Sequence, residues 1–407
     1  MRLTGFVFFL VAIAEANYYN PILPGFHPDP SCIHVDDAFF CVTSTFTWFP
    51  GVPVYTSTDL SHWKLASHVL NRCEQLPQLE NAPTGQDGLF ASTIRHHNET
   101  FYVTTTHVSI TSYKDFVMQN LIFSTNDPFN ASSWSIPTEF NFTGYDHSLF
   151  SDDDNDTFYF TGAAVLSTGT VIALATIDIE TGALGNVSYP WNGTGLGTAE
   201  GPHLYKKDDW YYILVAEGGT KELHRGYISR SRSLHDEATG HWWGVALAMR
   251  SGANFETYPM GRETVLFPVS WPAGGGEWPC LLEPIRGQMM ASLPGTNVNS
   301  SSIPGVNESV DVVDFEPDTV LPAYWVHIRH PSESATPTKD ITFVGRRQTE
   351  TLFSFIVDLE FDPHSIDEEA GISVYLDEKR HIDFGVSYDN QTASCKRLRI
   401  RIIQQQW

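Results

Sequence analysis

The sequence predicts an all-β protein: a five-bladed β-propeller with an incomplete fifth blade, followed by a truncated C-terminal β-sandwich. Three observations carry this expectation. A hairpin unit recurs over the first two thirds of the chain, its strands alternate apolar with polar residues, and a polar stretch then sets off a second strand-rich region.

The unit is plainest in "EGPHLYKKDDWYYILVAEGG", residues 200–219. Glu200 opens it, Lys206–Asp209 form a charged turn, and Trp210-Tyr211-Tyr212 begin the return strand. Residues 29–45 repeat the plan, with Asp29 first, Asp36-Asp37 as the turn and Phe39-Phe40 on the return. Residues 91–106 return at Phe101-Tyr102, and residues 146–162 open on Asp146 and return at Phe158-Tyr159. A last copy, residues 234–248, keeps Trp242-Trp243 but lacks a clear first half. Repetition at this period points to a solenoid or a propeller. The return strands begin at Phe39, Phe101, Phe158, Tyr211 and Trp242, so the steps are 62, 57, 53 and 31 residues. Four strands of about 5–6 residues with short loops fill the longer steps. Alternating β-branched and aromatic residues, punctuated by Gly, Asn, Asp and Pro, argue against helical repeats. The last step is short by about 25 residues, a little over half a blade. It predicts fewer than four strands in the fifth blade, with Arg232 or solvent where its first strand would run.

The domain boundaries follow. Residues 1–16, "MRLTGFVFFLVAIAEA", fit a signal peptide: Arg2, an apolar run from Leu3 to Ile13, then Ala14-Glu15-Ala16 as a small-x-small cleavage site. A buried first strand is the structural alternative. The propeller is placed at residues 17–295, a Ser-, Asn-, Pro- and Gly-rich linker at 296–310, and a partial β-sandwich at 311–407. In that last region "FSFIVDLEFDP", "AGISVYLDE" and "HIDFGVSYD" alternate as strands. So short a region predicts a poorly closed core.

A net charge of −24 argues against nucleic acid and against an anionic membrane surface as partners. No later run reaches the ~20 apolar residues of a membrane span. Secretion into the extracellular space is expected. Nine N-x-S/T sequons agree with it, at Asn98, Asn130, Asn141, Asn155, Asn186, Asn192, Asn299, Asn307 and Asn390. Of five cysteines, Cys32 and Cys41 flank the first turn and can face each other; Cys73, Cys280 and Cys395 have no partner assignable from sequence. The odd count leaves at least one thiol free or in an intermolecular bond. There is no CxxC, so no zinc site is expected. Nothing in the sequence indicates an oligomeric state.

The chemistry lies at the repeat starts. Inner strands of propeller blades converge on one axis, so residues that open them meet at one end of the channel. Three repeats open with acids: Asp29, Asp146 and Glu200. Taken singly, Asp29 and Asp146 read equally well as turn or capping residues. Glu200, followed by Gly201-Pro202, does not. Acids gathered together repel, and at least one holds its proton. Glycosidic hydrolysis needs that pairing: a protonated acid for the leaving oxygen and an ionised one to deprotonate water. The run Asp152–Asp156 occupies a hairpin-turn position and reads as a solvated turn rather than a calcium loop.

At these residues the chain resembles glycoside hydrolase family 43, in its two-domain β-xylosidase and α-L-arabinofuranosidase form. The likeness is carried by "NPILPGFHPDPS", "FTWFPGVPVYTSTDLSHWKL", "YDHSLFSDDD", "AEGPHLYKKDDWYYILVAEGGT" and "GRETVLFPVSW". It implies a five-bladed propeller, an inverting mechanism, a C-terminal β-sandwich and an oligosaccharide substrate. By the resemblance, Asp29 is the general base, Glu200 the general acid, and Asp146 the third acid that orients the general acid and raises its pKa. Arg262 in "GRET" matches an arginine that contacts the glycone; on its own it reads as a surface charge near a turn. Trp48, Phe49 and Phe90 match aromatic walls of the pocket, although Phe49 fits blade-core packing equally well. No cofactor is implied as required, and no metal site is assigned. The family allows a structural calcium ion, whose usual His, in a "GHAD"-like strand opening the fifth blade, has no counterpart here. His147 also replaces the Pro that usually follows the third acid. Two readings stand: an exo-acting hydrolase of xylose- or arabinose-containing oligosaccharides, favoured by the three acids, and a catalytically impaired, sugar-binding relative, favoured by the missing half-blade.

Overall fold

The computed structural model describes residues 16–404, except 83, 113–114, 153–156, 196, 208–209, 220–223, 232–241, 253, 255–256, 273–276, 292, 295–311, 316–319, 331–342, 367 and 391–395. Five antiparallel sheets follow one another along the chain. The first pairs Ser31–Val35, Ala38–Val42, Gly51–Ser57 and Lys64–Leu70. The second runs Gly88–His97, Thr100–Ser112, Asp115–Thr125 and Thr138–Phe140, and the third Gly144–Asp152, Thr157–Leu166, Gly169–Thr176 and Ser188–Trp191. Among the described residues the fourth has three strands, Ala199–Lys207, Trp210–Glu217 and Arg225–Ser231. The fifth also has three: Trp242–Ala248, Glu263–Ser270 and Cys280–Leu281. Residues 232–241, between these two sheets, contain Arg232 and the junction after Ser233, so the expectation for that point lies outside the described residues.

Tight two-residue turns join the two inner strands of the first and second sheets, at Asp36-Asp37 and Asn98-Glu99. Asn98 and Glu99 both take left-handed backbone (φ 47° and 61°), which matches the twist of the flanking strands. In the first sheet Cys32 lies opposite Cys41 and the two form a disulfide.

The four innermost strands of the first four sheets pack side by side in chain order. Apolar clusters fill the spaces between sheets. Leu70, Leu89, Ile94 and Phe123 lie between the first and second, and Leu149, Phe160 and Ala173 between the second and third. Ile172, Ala199 and Val215 join the third to the fourth, and Leu60, Leu266 and Trp243 join the fifth to the first. Each fully buried large side chain stabilises by about 1.5–3 kcal/mol. The fourth and fifth sheets meet through aromatic rings: Trp271 stands 4.6 Å from Tyr212 and 4.6 Å from Trp242. The strand Ala16–Tyr19 pairs with Gln288–Ala291, and Tyr18 is fully buried beneath it.

The C-terminal region is tied into this body. Trp325–Ile328 pairs with Val344–Arg346 and also with Trp48–Phe49 of the first repeat. Gly25 permits the closest approach, because a Cβ there would sit 2.2 Å from the carbonyl oxygen of Gln348. A separate three-stranded sheet, Glu369–Asp377, Arg380–Tyr388 and Lys396–Gln404, includes two of the three strands expected from sequence. The third, "FSFIVDLEFDP", forms no strand; Leu352 and Ile356 beside and within it are 90% and 86% exposed. Alternation alone does not make a strand: without a neighbour to accept its backbone hydrogen bonds the segment stays irregular. Asp152 also departs from expectation. It is fully buried and accepts hydrogen bonds from Lys206 Nζ (2.9 Å) and Tyr211 Oη (2.8 Å), while residues 153–156 lie outside the described residues.

Candidate active site

Three of the inner strands carry an irregularity at the same height. Pairing shifts between Phe90 and Thr93, between Tyr145 and Ser148, and between Glu200 and His203. Each shift leaves a residue with positive φ: Ala91 (26°), Asp146 (51°) and Gly201 (57°). Asp29, just before the innermost strand of the first sheet, has φ 54°. A bulge bends its strand and re-aims the side chain at the bulged position. Aspartate is among the few non-glycine residues that tolerate this backbone, and such positions cluster at functional sites. Asp29 and Asp146 therefore occupy the same structural position. Glu200 does not; it stands one residue earlier than its bulge residue, Gly201, in the place of Tyr145 and Phe90.

The acids are nonetheless brought together. Asp29 accepts from Arg262 Nη1 at 2.9 Å through Oδ1 and from Ser44 Oγ at 2.7 Å through Oδ2. Burial and the charges of Glu200 and Asp29 push the Asp146 carboxyl well up, against the pull of Arg262 and the Gly201 N–H. Glu200 is also raised, by burial and then by Asp29, while His224, Tyr145 and Arg262 act in the opposite direction. Two neighbouring carboxyls that both resist ionisation share protons as a pair. Tyr145 is held as a neutral phenol by burial and by the Glu200 charge, and its hydroxyl stands 3.5 Å from Glu200 Oε2.

Arg262 lies over the Phe46 ring at 5.2 Å, and Phe46 stands 5.7 Å from Phe26 and 5.0 Å from Phe90. Phe90 thus belongs to an aromatic wall beside the Asp29–Arg262 pair. Trp48 and Phe49 are placed differently. The Trp48 ring stands 6.0 Å from Phe343 and 5.8 Å from Tyr375, in the junction with the C-terminal region. Phe49 is buried in the core between the first two sheets, with His330 at 4.6 Å. Beneath the site, buried Glu263 accepts from the Gly25 N–H (2.9 Å) and from Arg250 (2.7 and 2.9 Å). This fixes the segment before Asp29 against the strand that follows Arg262.

Ser44, Phe26, Phe46, Tyr145 and His224 were not singled out from sequence. The hydroxyl, phenol and imidazole carry no repeat signal, and the two phenylalanines look like any core aromatic. The His224 ring donates through Nδ1 to the Gly219 carbonyl at 2.6 Å, a contact that spacing does not reveal.

Residues 18–239 match glycosyl hydrolases family 43, and residues 324–406 match the beta xylosidase C-terminal concanavalin A-like domain. This chain belongs to glycosyl hydrolases family 43. It is 33% identical over 93% of its length to the non-reducing end alpha-L-arabinofuranosidase BoGH43B of Bacteroides ovatus, of which it covers 78%. It is 27% identical to a beta-xylosidase of Bacillus subtilis, over 91% of this chain and 79% of that protein. Among solved structures, GH43B of the Bacteroides ovatus xyloglucan locus superposes with TM-score 0.76 at 30% identity, covering 95% of this chain and 82% of that one. The xylan beta-1,4-xylosidase of Bacillus halodurans gives 0.74 at 27% identity, covering 94% and 81%. The fold is thus that of the family-43 structures, a β-propeller with a C-terminal β-sandwich.

Among the described residues no three His, Cys, Asp or Glu side chains gather as a metal cage. His203, on the innermost strand of the fourth sheet, gives its Nδ1 to the Arg95 guanidinium at 3.0 Å. Among the described residues no cation ligand set of His, Cys, Asp or Glu forms around it.

Proposed function

We propose that this family-43 protein is a secreted, exo-acting glycosidase that removes terminal xylose or arabinofuranose from hemicellulose oligosaccharides with inversion of configuration. The observation that carries the reading is the convergence of Asp29, Asp146, Glu200 and Arg262 on one electrostatic site at the bulged ends of the inner strands. Asp29, held by Arg262 and Ser44, takes a proton from water as that water attacks the anomeric carbon. Glu200 gives its proton to the departing glycosidic oxygen. Asp146 keeps a proton on the pair, because two ionised carboxylates there are disfavoured. Arg262 serves both to hold Asp29 and to meet sugar hydroxyls, and the wall of Phe26, Phe46 and Phe90 offers a stacking face for the ring.

In this reading the five sheets are five blades, and the step to the fifth is short by about 25 residues, with three strands in each of the fourth and fifth sheets among the described residues. That defect favours the alternative, a sugar-binding relative with impaired catalysis. The leader at 1–16 falls outside the described residues but for Ala16, the first residue of the strand paired with Gln288–Ala291. The six sequon asparagines among the described residues, Asn98, Asn130, Asn141, Asn186, Asn192 and Asn390, are all exposed, which supports passage through a glycosylating compartment.

Proton NMR of a short xylo- or arabino-oligosaccharide digest tests the mechanism. A single monosaccharide, first formed with the anomeric configuration opposite to that of the bond cleaved, is expected. Retention, or internal cleavage into oligomers, would overturn it.

A further inference from the structure

The junction between the propeller and the C-terminal region holds a cation that has no counter-charge among the described residues. Arg347 follows the strand Val344–Arg346. Its Nε and Nη2 are sealed from solvent, neither has a hydrogen-bond partner, and no carboxylate pairs with the guanidinium. Two propeller histidines lie within reach of its charge. His27 is 5% exposed with Nδ1 unpartnered, and His68 is 3% exposed with Nε2 unpartnered. Burial and then the Arg347 charge hold the His27 ring well below its usual range and His68 at about 3, so both rings are neutral. Tyr55 completes the group. Its ring stands edge-on to His27 at 5.2 Å, and burial keeps it a neutral phenol. Strand pairing explains the grouping: His68 lies opposite Pro53, and Tyr55 is two residues further on, so alternation puts His68 and Tyr55 on one face. The close approach of Gly25 to Gln348 brings the chain next to His27 and the chain next to Arg347 together.

An arginine cannot shed its charge in a protein, and buried charges are ordinarily paired. A buried charge left uncompensated is strongly destabilising. The groups around Arg347 cannot compensate it, because neutral imidazoles and a phenol carry no charge. They can add donors. A neutral imidazole bears one N–H, which can sit on the unpartnered nitrogen of either ring. Arg347 Nε and Nη2, His27 Nδ1 and His68 Nε2 can thus all donate, with a single positive charge among them. Unsatisfied buried groups of this kind mark a bound water or ion. Water brings no charge, and a divalent phosphate or sulfate would leave a net charge of the opposite sign. A monovalent anion neutralises the guanidinium and accepts from all four nitrogens. We propose that Arg347, His27 and His68 hold a small inorganic monovalent anion, a halide such as chloride, at the junction of the propeller and the C-terminal region. The anion fastens that region to the segment leading to Asp29, two residues beyond His27.

Thermal melting of the purified full chain, followed as sodium chloride replaces sodium methanesulfonate at constant ionic strength, tests the proposal. The melting temperature should rise with chloride, by roughly 2–4 °C per tenfold increase above the dissociation constant. Arg347→Met should abolish that dependence. His68→Phe, which keeps the charge, should shift it to higher chloride. Anomalous diffraction from crystals soaked in bromide gives a reading that needs no variant: a peak within hydrogen-bond distance of Arg347 Nε or Nη2 is expected. Should Arg347→Met fail to fold, His68→Phe and the bromide peak decide the matter. Melting of the unaltered chain that is indifferent to chloride would overturn the proposal, whether the crystals show water at Arg347 or a bromide held at crystal concentration only. So would a chloride response undiminished in Arg347→Met, or bromide peaks elsewhere with none at Arg347.

Discussion

Replacing Glu200 by Gln is expected to lower kcat by about 10²–10⁴-fold, the range supplied by a positioned general acid, with much less change in KM. The amide keeps the shape of the side chain but has no proton of comparable acidity to give. Asp146→Asn should act on the same proton. The two carboxyls resist carrying two negative charges at once, so replacing Asp146 by a neutral amide removes the repulsion that holds a proton on the pair and lowers the pH at which Glu200 ionises. Activity requires Glu200 protonated and is lost as pH rises through its pKa. The basic limb of the kcat/KM profile in Asp146→Asn therefore moves to lower pH. Steady-state rates across pH on an aryl glycoside check both variants. An unmoved basic limb would remove Asp146 from the acid's surroundings.

Arg95→Met is expected to destabilise the fold by about 3 kcal/mol or more, since a hydrogen bond to a charged group contributes about 1.5–3 kcal/mol and several are lost together. The guanidinium donates to the carbonyl oxygens of Ile94 (2.7 Å) and Leu149 (2.8 Å), to Ser148 Oγ (2.8 Å) and to His203 Nδ1 (3.0 Å). It thus ties together the innermost strands of the second, third and fourth sheets. His203 can accept because burial and the adjacent cation depress its pKa to about 3 and keep the ring neutral. Thermal melting should fall by roughly 6–12 °C at 2–4 °C per kcal/mol. Arg95→Lys should not restore it, because one ammonium cannot span the fork. A Met variant that melts with the parent would show that the strands do not depend on this contact.

Asp29, Asp146 and Glu200 were legible because each opens a repeat, and a propeller converts repeat position into spatial convergence. The bulge was not legible. It depends on backbone torsions that the residue types permit but do not announce, and it places Glu200 one residue out of step with the two aspartates. Trp48 illustrates a second limit: an aromatic near a pocket motif and one at a domain junction look alike in sequence. The short step before Trp242 falls on residues 232–241, outside the described residues, and a count of residues does not say which sheet bears the shortfall. Cys32 and Cys41 were readable as neighbours, being symmetric about a two-residue turn. In the C-terminal region two alternating segments became strands and "FSFIVDLEFDP" did not, because pairing partners, not periodicity, decide that outcome.

The most direct test is hydrolysis of aryl β-xyloside and aryl α-L-arabinofuranoside by the purified chain, alongside Asp29→Asn and Glu200→Gln. The account predicts release of the aryl alcohol from at least one of the two by the unaltered chain, with loss in both variants. No release from either substrate, or release undiminished by both substitutions, would contradict it.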